Sequence, residues 1–274
     1  MHIGIVIPLK AKIVSKDWDI VCNNLKQTVT SILTQSSTKF SAVVVGHDKP
    51  DFLEAVRDGI DLNGTCYFLP FDDFPPPVLD QHDTEGNQLK YESDRCNKIL
   101  KGIMYLSKNS SPAISHWFAL DADDLLRNTF VEILQLYEGA DAIILDNGYF
   151  LFNSTGIVNE ENSFSAYCGS SAILADGLMS LPSKVTSIDS YRKAMPYGSI
   201  SHVRMRDKLT ERGLQVIIPK ERLIMYVRDN GENISREAYG TRLFQKFKKY
   251  IKMLLKLKFN SVKIKKEFGL IAIK

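Results

Sequence analysis

The sequence predicts an α/β fold built on a mainly parallel sheet with helices on both faces. Three observations carry this expectation. Across the first 120 residues, apolar runs of strand length alternate with stretches of helical spacing. The runs IGIVIP (3–8), SAVVVG (41–46), TCYFLP (65–70) and HWFAL (116–120) are apolar almost throughout, as strands buried on both faces are. The chain has 274 residues, 44% hydrophobic and 24% charged, which suits one large globular domain and excludes disordered or fibrous classes.

The elements follow in order. Between the first two strands, Ile20, Val21, Leu25, Val29, Ile32 and Leu33 keep helical spacing and predict a helix over roughly 18–36. DFLEAVRDG (51–59) predicts a short helix stopped by Gly59. Residues 71–90, with three consecutive prolines, read as a long loop, and a helix is expected over about 91–107. The second half is less regular. DAIILDN (141–147), YFLF (149–152), LQVIIP (214–219) and LIMYV (223–227) read as strands, YCGSSAIL (167–174) as a loop into a strand or helix, and 197–213 as helical. In parallel sheets ligands bind beyond the carboxyl ends of the strands. Here those ends carry Pro8-Leu9-Lys10, Gly46-His47-Asp48, Phe71-Asp72-Asp73 and Asp121-Ala122-Asp123-Asp124.

The last of these raises the main question, because three like charges directly follow a buried strand, where desolvation is costly. Carboxylate oxygens are hard ligands for Mg²⁺ or Mn²⁺, and a DxD spacing can direct one carboxylate to a cation that also meets a diphosphate. The plainer alternative makes Asp121 an N-cap, with Asp123 and Asp124 favoured by the dipole of a helix at about 125–138. A phosphatase-type DxD nucleophile fits poorly, since Leu125 and Leu126 follow instead of a hydroxyl residue.

The pieces taken together resemble a glycosyltransferase of the GT-A fold, most like glycosyltransferase family 2 and its bacterial polysaccharide relatives. IGIVIP is similar to the family's first strand, TVTSILTQS (28–36) to its first helix, and AVVVGHD to its second strand. DRCNKILKG (94–102) is similar to the basic helix before the metal motif, ALDADDLL to that motif, and GENIS (231–235) to the segment closing the catalytic domain. The resemblance covers residues 1–238. It implies that Asp123 holds Mn²⁺ or Mg²⁺, with Asp121 sharing the ion or meeting the nucleotide, and that Asp124 meets the donor sugar or the metal shell. Asp48 would face the base, Pro8 shape the pocket wall, and Arg95 or Lys98 approach the nucleotide or its phosphates. The alternative for these two cations is a solvated helix face. Where inverting members carry an Asp base, the count back from Gly213 falls on Ser201-His202. His202 is therefore one candidate base and Asp189 another, with structural roles open for both. Asn230 stands where several relatives place a metal-binding His. YCGSS (167–171) is a candidate acceptor-side loop, with Gly169 permitting close approach and Ser170 and Ser171 able to bond sugar hydroxyls.

Four widely spaced cysteines, none in a CxxC pair, point to neither a zinc site nor a disulfide framework, and a reducing cytoplasm suits them. The sequence suggests no secretory signal and no membrane-spanning run. The net charge of +3 is uneven: residues 240–274 carry eleven Lys/Arg and one Glu, leaving the rest acidic at −7. From Leu243 to Leu255 apolar residues recur at helical spacing opposite lysines, which suits an anionic membrane surface or a helix docked on the body. Nucleic acid is not expected as a partner, because the basic charge is confined to the tail. The expectation is a catalytic domain at 1–238 and a basic amphipathic tail at 239–274. The chain would be a metal-dependent, inverting glycosyltransferase at the cytoplasmic side, free or peripheral on the inner face of the plasma membrane. It would use a nucleotide-sugar, UDP-linked by preference, and a glycan or lipid-linked saccharide acceptor. A non-catalytic nucleotide- or sugar-binding protein and a sugar nucleotidyltransferase stand as alternatives. The latter would show a glycine-rich loop after the first strand, which PLKAKIVSKDWD lacks.

Overall fold

Ile3, Ile5 and Ile7 point to one face of a strand and Gly4 and Val6 to the other, and every residue of IGIVIP is buried. Such a run needs cover on both sides, and it forms the centre of the larger of two sheets. The computed structural model describes residues 1–53, 66–80, 82–185, 187–232 and 261–270. In the seven-stranded sheet, β1 (Ile3–Pro8) lies between β2 (Phe40–Gly46) and β4 (His116–Ala119), parallel to both, and β3 (Cys66–Pro70) extends the parallel run beyond β2. On the other side β9 (Ala172–Ala175) pairs antiparallel with both β4 and β6 (Ala142–Ile144), and β10 (Val216–Ile217) closes the edge parallel to β6. The expected mainly parallel sheet is therefore present.

Helix α1 (Trp18–Leu33) packs Leu25, Val29 and Ile32 against the isoleucines of β1. Asp17 caps it, accepting from the amides of Asp19 and Ile20. On the opposite face α2 (Thr84–Asn109) packs Ile99, Leu100 and Ile103 with Val6, Val43 and Val45. This helix starts earlier than the expected 91. Asp83 caps it through the Gly86 amide, and its first two turns, 84–90, are mostly polar and exposed with Leu89 their one large apolar residue, so they carry no apolar period to read. Of the helix expected over 51–59, residues 51–53 form a 3₁₀ turn and the rest lies outside the described residues. The helical stretch expected at 197–213 is two pieces, α5 (Pro196–Ser199) and α6 (His202–Glu211), preceded by α4 (Tyr191–Ala194).

A second sheet has the order β5 (Asp124–Leu126), β11 (Ile224–Arg228), β7 (Gly148–Phe152), β8 (Ile157–Glu161). The chain thus passes from β4 in one sheet to β5 in the other through residues 120–123. This overturns the helix-cap alternative for the acidic cluster. Leu125 and Leu126 are strand residues paired with β11, and the next helix, α3, spans only Phe130–Leu134. YCGSSAIL resolves into a loop and the strand β9. Of the basic tail, α7 (Ser261–Glu267) is described. It docks on the second sheet through Ile264 and Phe268, and Arg127 pairs with Glu267 at 3.1 Å. The amphipathic stretch 243–256 lies outside the described residues. Among the described residues no helix is long and apolar enough to cross a membrane.

Gly4 matters because the Trp117 ring lies over it: a Cβ there would stand 2.4 Å from the ring. Gly4→Ala should therefore destabilise the chain by about 1–3 kcal/mol through overpacking, read as a lower urea midpoint. An unchanged midpoint would mean the indole has room to move.

Candidate active site

The acidic turn is held from below by one face of α1. Thr28 donates its hydroxyl to the Ala122 carbonyl at 3.0 Å, and the Ser31 hydroxyl accepts from the Leu126 amide at 3.1 Å. Gln35 donates to the Arg127 carbonyl and accepts from the Val131 amide. Thr28 and Ser31 are thus spaced by three because they share a face of α1, and Gln35, just past the helix end and bonded back to the Ser31 carbonyl, joins them in gripping the crossing between the sheets. From the other side the Ser170 hydroxyl accepts from the Asp121 amide at 2.8 Å. Ser170 and Ser171 are fully buried, which corrects the expectation that they bond sugar hydroxyls. Gly169 does allow close approach: a Cβ there would lie 3.1 Å from an Arg95 guanidinium nitrogen and 3.2 Å from Asp121 Oδ2.

Above the turn opens a cleft of about 840 Å³. The structure brings Pro8, Arg95, Lys98, Asp121, Asp123 and His202 together on its wall. Arg95 donates from Nε to Asp121 Oδ1 at 2.7 Å, and although burial opposes its charge, Asp121 and Glu92 raise its pKa further. Lys98 is not on a solvated helix face. Its side chain is buried, with Nζ donating to the Leu9 carbonyl at 2.8 Å and to Asp94 Oδ2 at 2.6 Å, and burial lowers its pKa. His202 begins α6, and burial followed by the Arg95 charge lowers its pKa below 6.5, so the imidazole is neutral at pH 7.

Three expected site residues stand elsewhere. Asp48 is not on the cleft wall, and its Oδ2 accepts from the Lys12 amide at 2.7 Å, fixing the loop after β1. Asp94, on the wall between His47 and Lys98, is the carboxylate on that side. Asp124 is buried behind the turn. Its Oδ2 accepts from the Cys168 thiol at 3.1 Å, its Oδ1 is without a hydrogen-bond partner among the described residues, and burial with the charges of Asp123 and Asp121 raises its pKa well above the ordinary value. Asp189 is exposed and pairs with Arg192, which does reach the cleft.

Three cations of the wall, which also carries Glu85 and Glu92, pair with wall carboxylates. Lys10 pairs with Glu232, Arg95 with Asp121 and Lys98 with Asp94. Asp123 has instead the neutral amide of Asn230, whose Nδ2 donates to Oδ2 at 2.7 Å. Burial and then the Asp121 charge push the Asp123 pKa up to about 6. A half-buried carboxylate beside another, with no ion-pair partner among the described residues, is what a divalent ion would stabilise. No group of three or more His, Cys, Asp or Glu among the described residues is arranged to hold a metal alone. Two carboxylates nevertheless suffice for Mg²⁺ when phosphate oxygens and water complete the shell. The residues fit such an ion on these terms. Glu232, Asp94 and Arg192 were not singled out from the sequence. The i, i+4 spacing of Asp94 and Lys98 was a legible signal for the second, while Glu232 had none.

No family model matches the chain, and no curated protein matches it in sequence. Solved structures do. S. aureus TarS 1-349 in complex with UDP-GlcNAc is 13% identical, with a TM-score of 0.46 over 88% of this chain and 62% of that one. The mannosyltransferase PcManGT from Pyrobaculum calidifontis, in complex with GDP-Man and Mn²⁺, is 9% identical, with a TM-score of 0.46 over 82% of this chain and 56% of that one. 4-Diphosphocytidyl-2C-methyl-D-erythritol synthase from Anaerococcus prevotii is 10% identical, with a TM-score of 0.37 over 86% of this chain and 92% of that one. The chain spans about three fifths of the length of the first of these.

The raised pKa has a consequence for stability. Between the ordinary carboxylate value of 3.8 and about 6, the folded chain keeps a proton on Asp123 that the unfolded chain has lost. Stability therefore falls as pH rises through that window and stays lower above it. Asp123→Asn keeps an acceptor for Asn230 and removes the charge. Its stability at pH 7.5 should rise by about 1–2 kcal/mol after allowance for solvent screening at the cleft surface, read as a higher melting temperature. A fall in melting temperature would mean that the anion is already stabilised.

Proposed function

We propose that the chain is a metal-dependent glycosyltransferase that moves a sugar from a nucleoside-diphosphate donor to a hydroxyl of a glycan or lipid-linked saccharide. A UDP-sugar is favoured as donor, inversion as stereochemistry, and bacterial surface polysaccharide synthesis as setting. The observation that carries this reading is Asp123: an acid just beyond the carboxyl end of a central strand, in a cleft that also holds Lys10, Arg95, Lys98 and Arg192, with no ion pair of its own among the described residues.

Asp121 and Asp123 would hold Mg²⁺ or Mn²⁺, which when bound offsets the charge that grows on the departing diphosphate. Lys10 and Arg192 add positive charge along the wall, while Arg95 keeps Asp121 oriented. The acceptor oxygen forms a bond to the anomeric carbon as the bond from that carbon to the phosphate oxygen breaks, and the hydroxyl proton leaves to a base. His202 suits that role, because its imidazole is neutral at pH 7 and lies on the cleft wall. The 243–256 stretch would bring the domain to an anionic membrane surface, where a lipid-linked acceptor lies.

One observation favours a second reading. Asp121 and Asp123 each already have a hydrogen-bond partner inside the chain, which suits a protein of the same fold that binds nucleotide without turnover.

Titration calorimetry of UDP, GDP and CDP, each with and without Mn²⁺, separates the possibilities. One diphosphate should bind only with metal, and Asp123→Ala should weaken it at least tenfold. Failure of all three to bind removes the donor-site reading, and metal-dependent binding without sugar transfer or donor hydrolysis selects the second one. His202→Gln should lower kcat by roughly 10²-fold with the diphosphate Kd unchanged. Wild-type kcat in that variant would exclude His202 as the base.

A further inference from the structure

After β11 the chain turns sharply, with φ of 58° at Asp229 and 88° at Gly231, and brings Glu232 to the cleft wall. Two side chains pin this short strap. Asn230 is buried, donates to Asp123 Oδ2 and accepts from the Glu232 amide at 3.0 Å. Glu232 then reaches across to the β1–α1 loop. Its Oε2 lies 2.7 Å from Lys10 Nζ, and its Oε1 accepts from the Asp17 backbone amide at 2.6 Å. The Glu232 side chain is only 6% exposed although both it and Lys10 line the cleft.

A carboxylate with each oxygen held by a separate donor, one of them cationic, sits in a two-point oxyanion site. The Asp17 amide is available for this because the Asp17 side chain, not its N–H, caps α1. Holding Glu232 there requires desolvating a charge pair, which gains little by itself. A phosphate oxyanion carries more charge and offers the same oxygen geometry. We propose that Lys10 Nζ and the Asp17 N–H form a phosphate-binding site at the edge of the cleft that Glu232 fills in the free chain, so that a diphosphate binds by displacing the 229–232 strap. This rests on the donor-site reading for the identity of the diphosphate but not for the existence of the anion site.

The sign of the effect distinguishes the proposal from ordinary contact. A residue that touches the ligand weakens binding when removed; a residue that competes with it strengthens binding. Calorimetry with Mn²⁺ and either inorganic pyrophosphate or UDP would be run on wild type, Glu232→Gln, Glu232→Ala and Lys10→Ala, each checked for a folded circular dichroism spectrum. Both Glu232 variants should bind pyrophosphate at least fivefold tighter than wild type, Lys10→Ala should bind it more weakly, and the double variant Lys10→Ala/Glu232→Ala should show no gain over Lys10→Ala. Equal or weaker binding in the Glu232 variants, or pyrophosphate bound by none of the proteins, overturns the site. Tighter pyrophosphate binding by the Glu232 variants with no UDP, GDP or CDP binding by any protein would leave the anion site standing and remove the nucleotide donor.

Discussion

The constraint on which this structure turns is the placement of three carboxylates where the chain crosses from one sheet to the other. A crossing between two buried strands has few routes to solvent, and like charges there raise one another's proton affinity. Each of the three meets the constraint differently. Asp121 is offset by Arg95, which α2 delivers from the opposite layer. Asp124 turns away from the cleft, onto the Cys168 thiol, and burial together with the charges of Asp123 and Asp121 raises its pKa. Asp123 is left at the cleft with a neutral amide. The surrounding architecture follows from holding this arrangement in place: the polar face of α1 beneath, the Gly169 loop beside, the 229–232 strap above.

Much of this was legible in the sequence because the elements that frame the site are local. The first strand, helix and second strand announce themselves by apolar period, and they place Pro8 and the 121–124 cluster on one rim. Thr28, Ser31 and Gln35 were visible as a motif, but their purpose was not. Hydrogen bonds from α1 and Gln35 to residues 122–131 join positions more than ninety apart in sequence. No period or spacing announces such a contact.

The misreadings have the same origin. Ser170 and Ser171 look like sugar ligands by residue type, yet packing against β4 and β6 buries them. Asp48 follows a strand as a base-reading acid would, but the nearby Lys12 amide holds its carboxylate, and Asp94 stands on the wall instead. The start of α2 was hidden because an exposed helical segment needs only a cap and tolerable propensity, and those signals are weaker than an apolar stripe.

The paired charges of the cleft bear on how a site can be both stable and ready. A wall lined with unpaired Lys and Arg would bind a diphosphate strongly but would strain the free chain by self-repulsion. Pairing Lys10, Arg95 and Lys98 with Glu232, Asp121 and Asp94 removes that strain. It also makes part of the binding energy conditional, since a ligand must replace a partner rather than fill a void. The three pairs differ in what replacement would require. Asp121 and Asp94 sit on a helix or on the gripped turn and cannot leave without moving the core. Glu232 sits on the short 229–232 segment beyond the last strand of the second sheet, so of these three counter-charges it is the one placed to give way while the core stays in place.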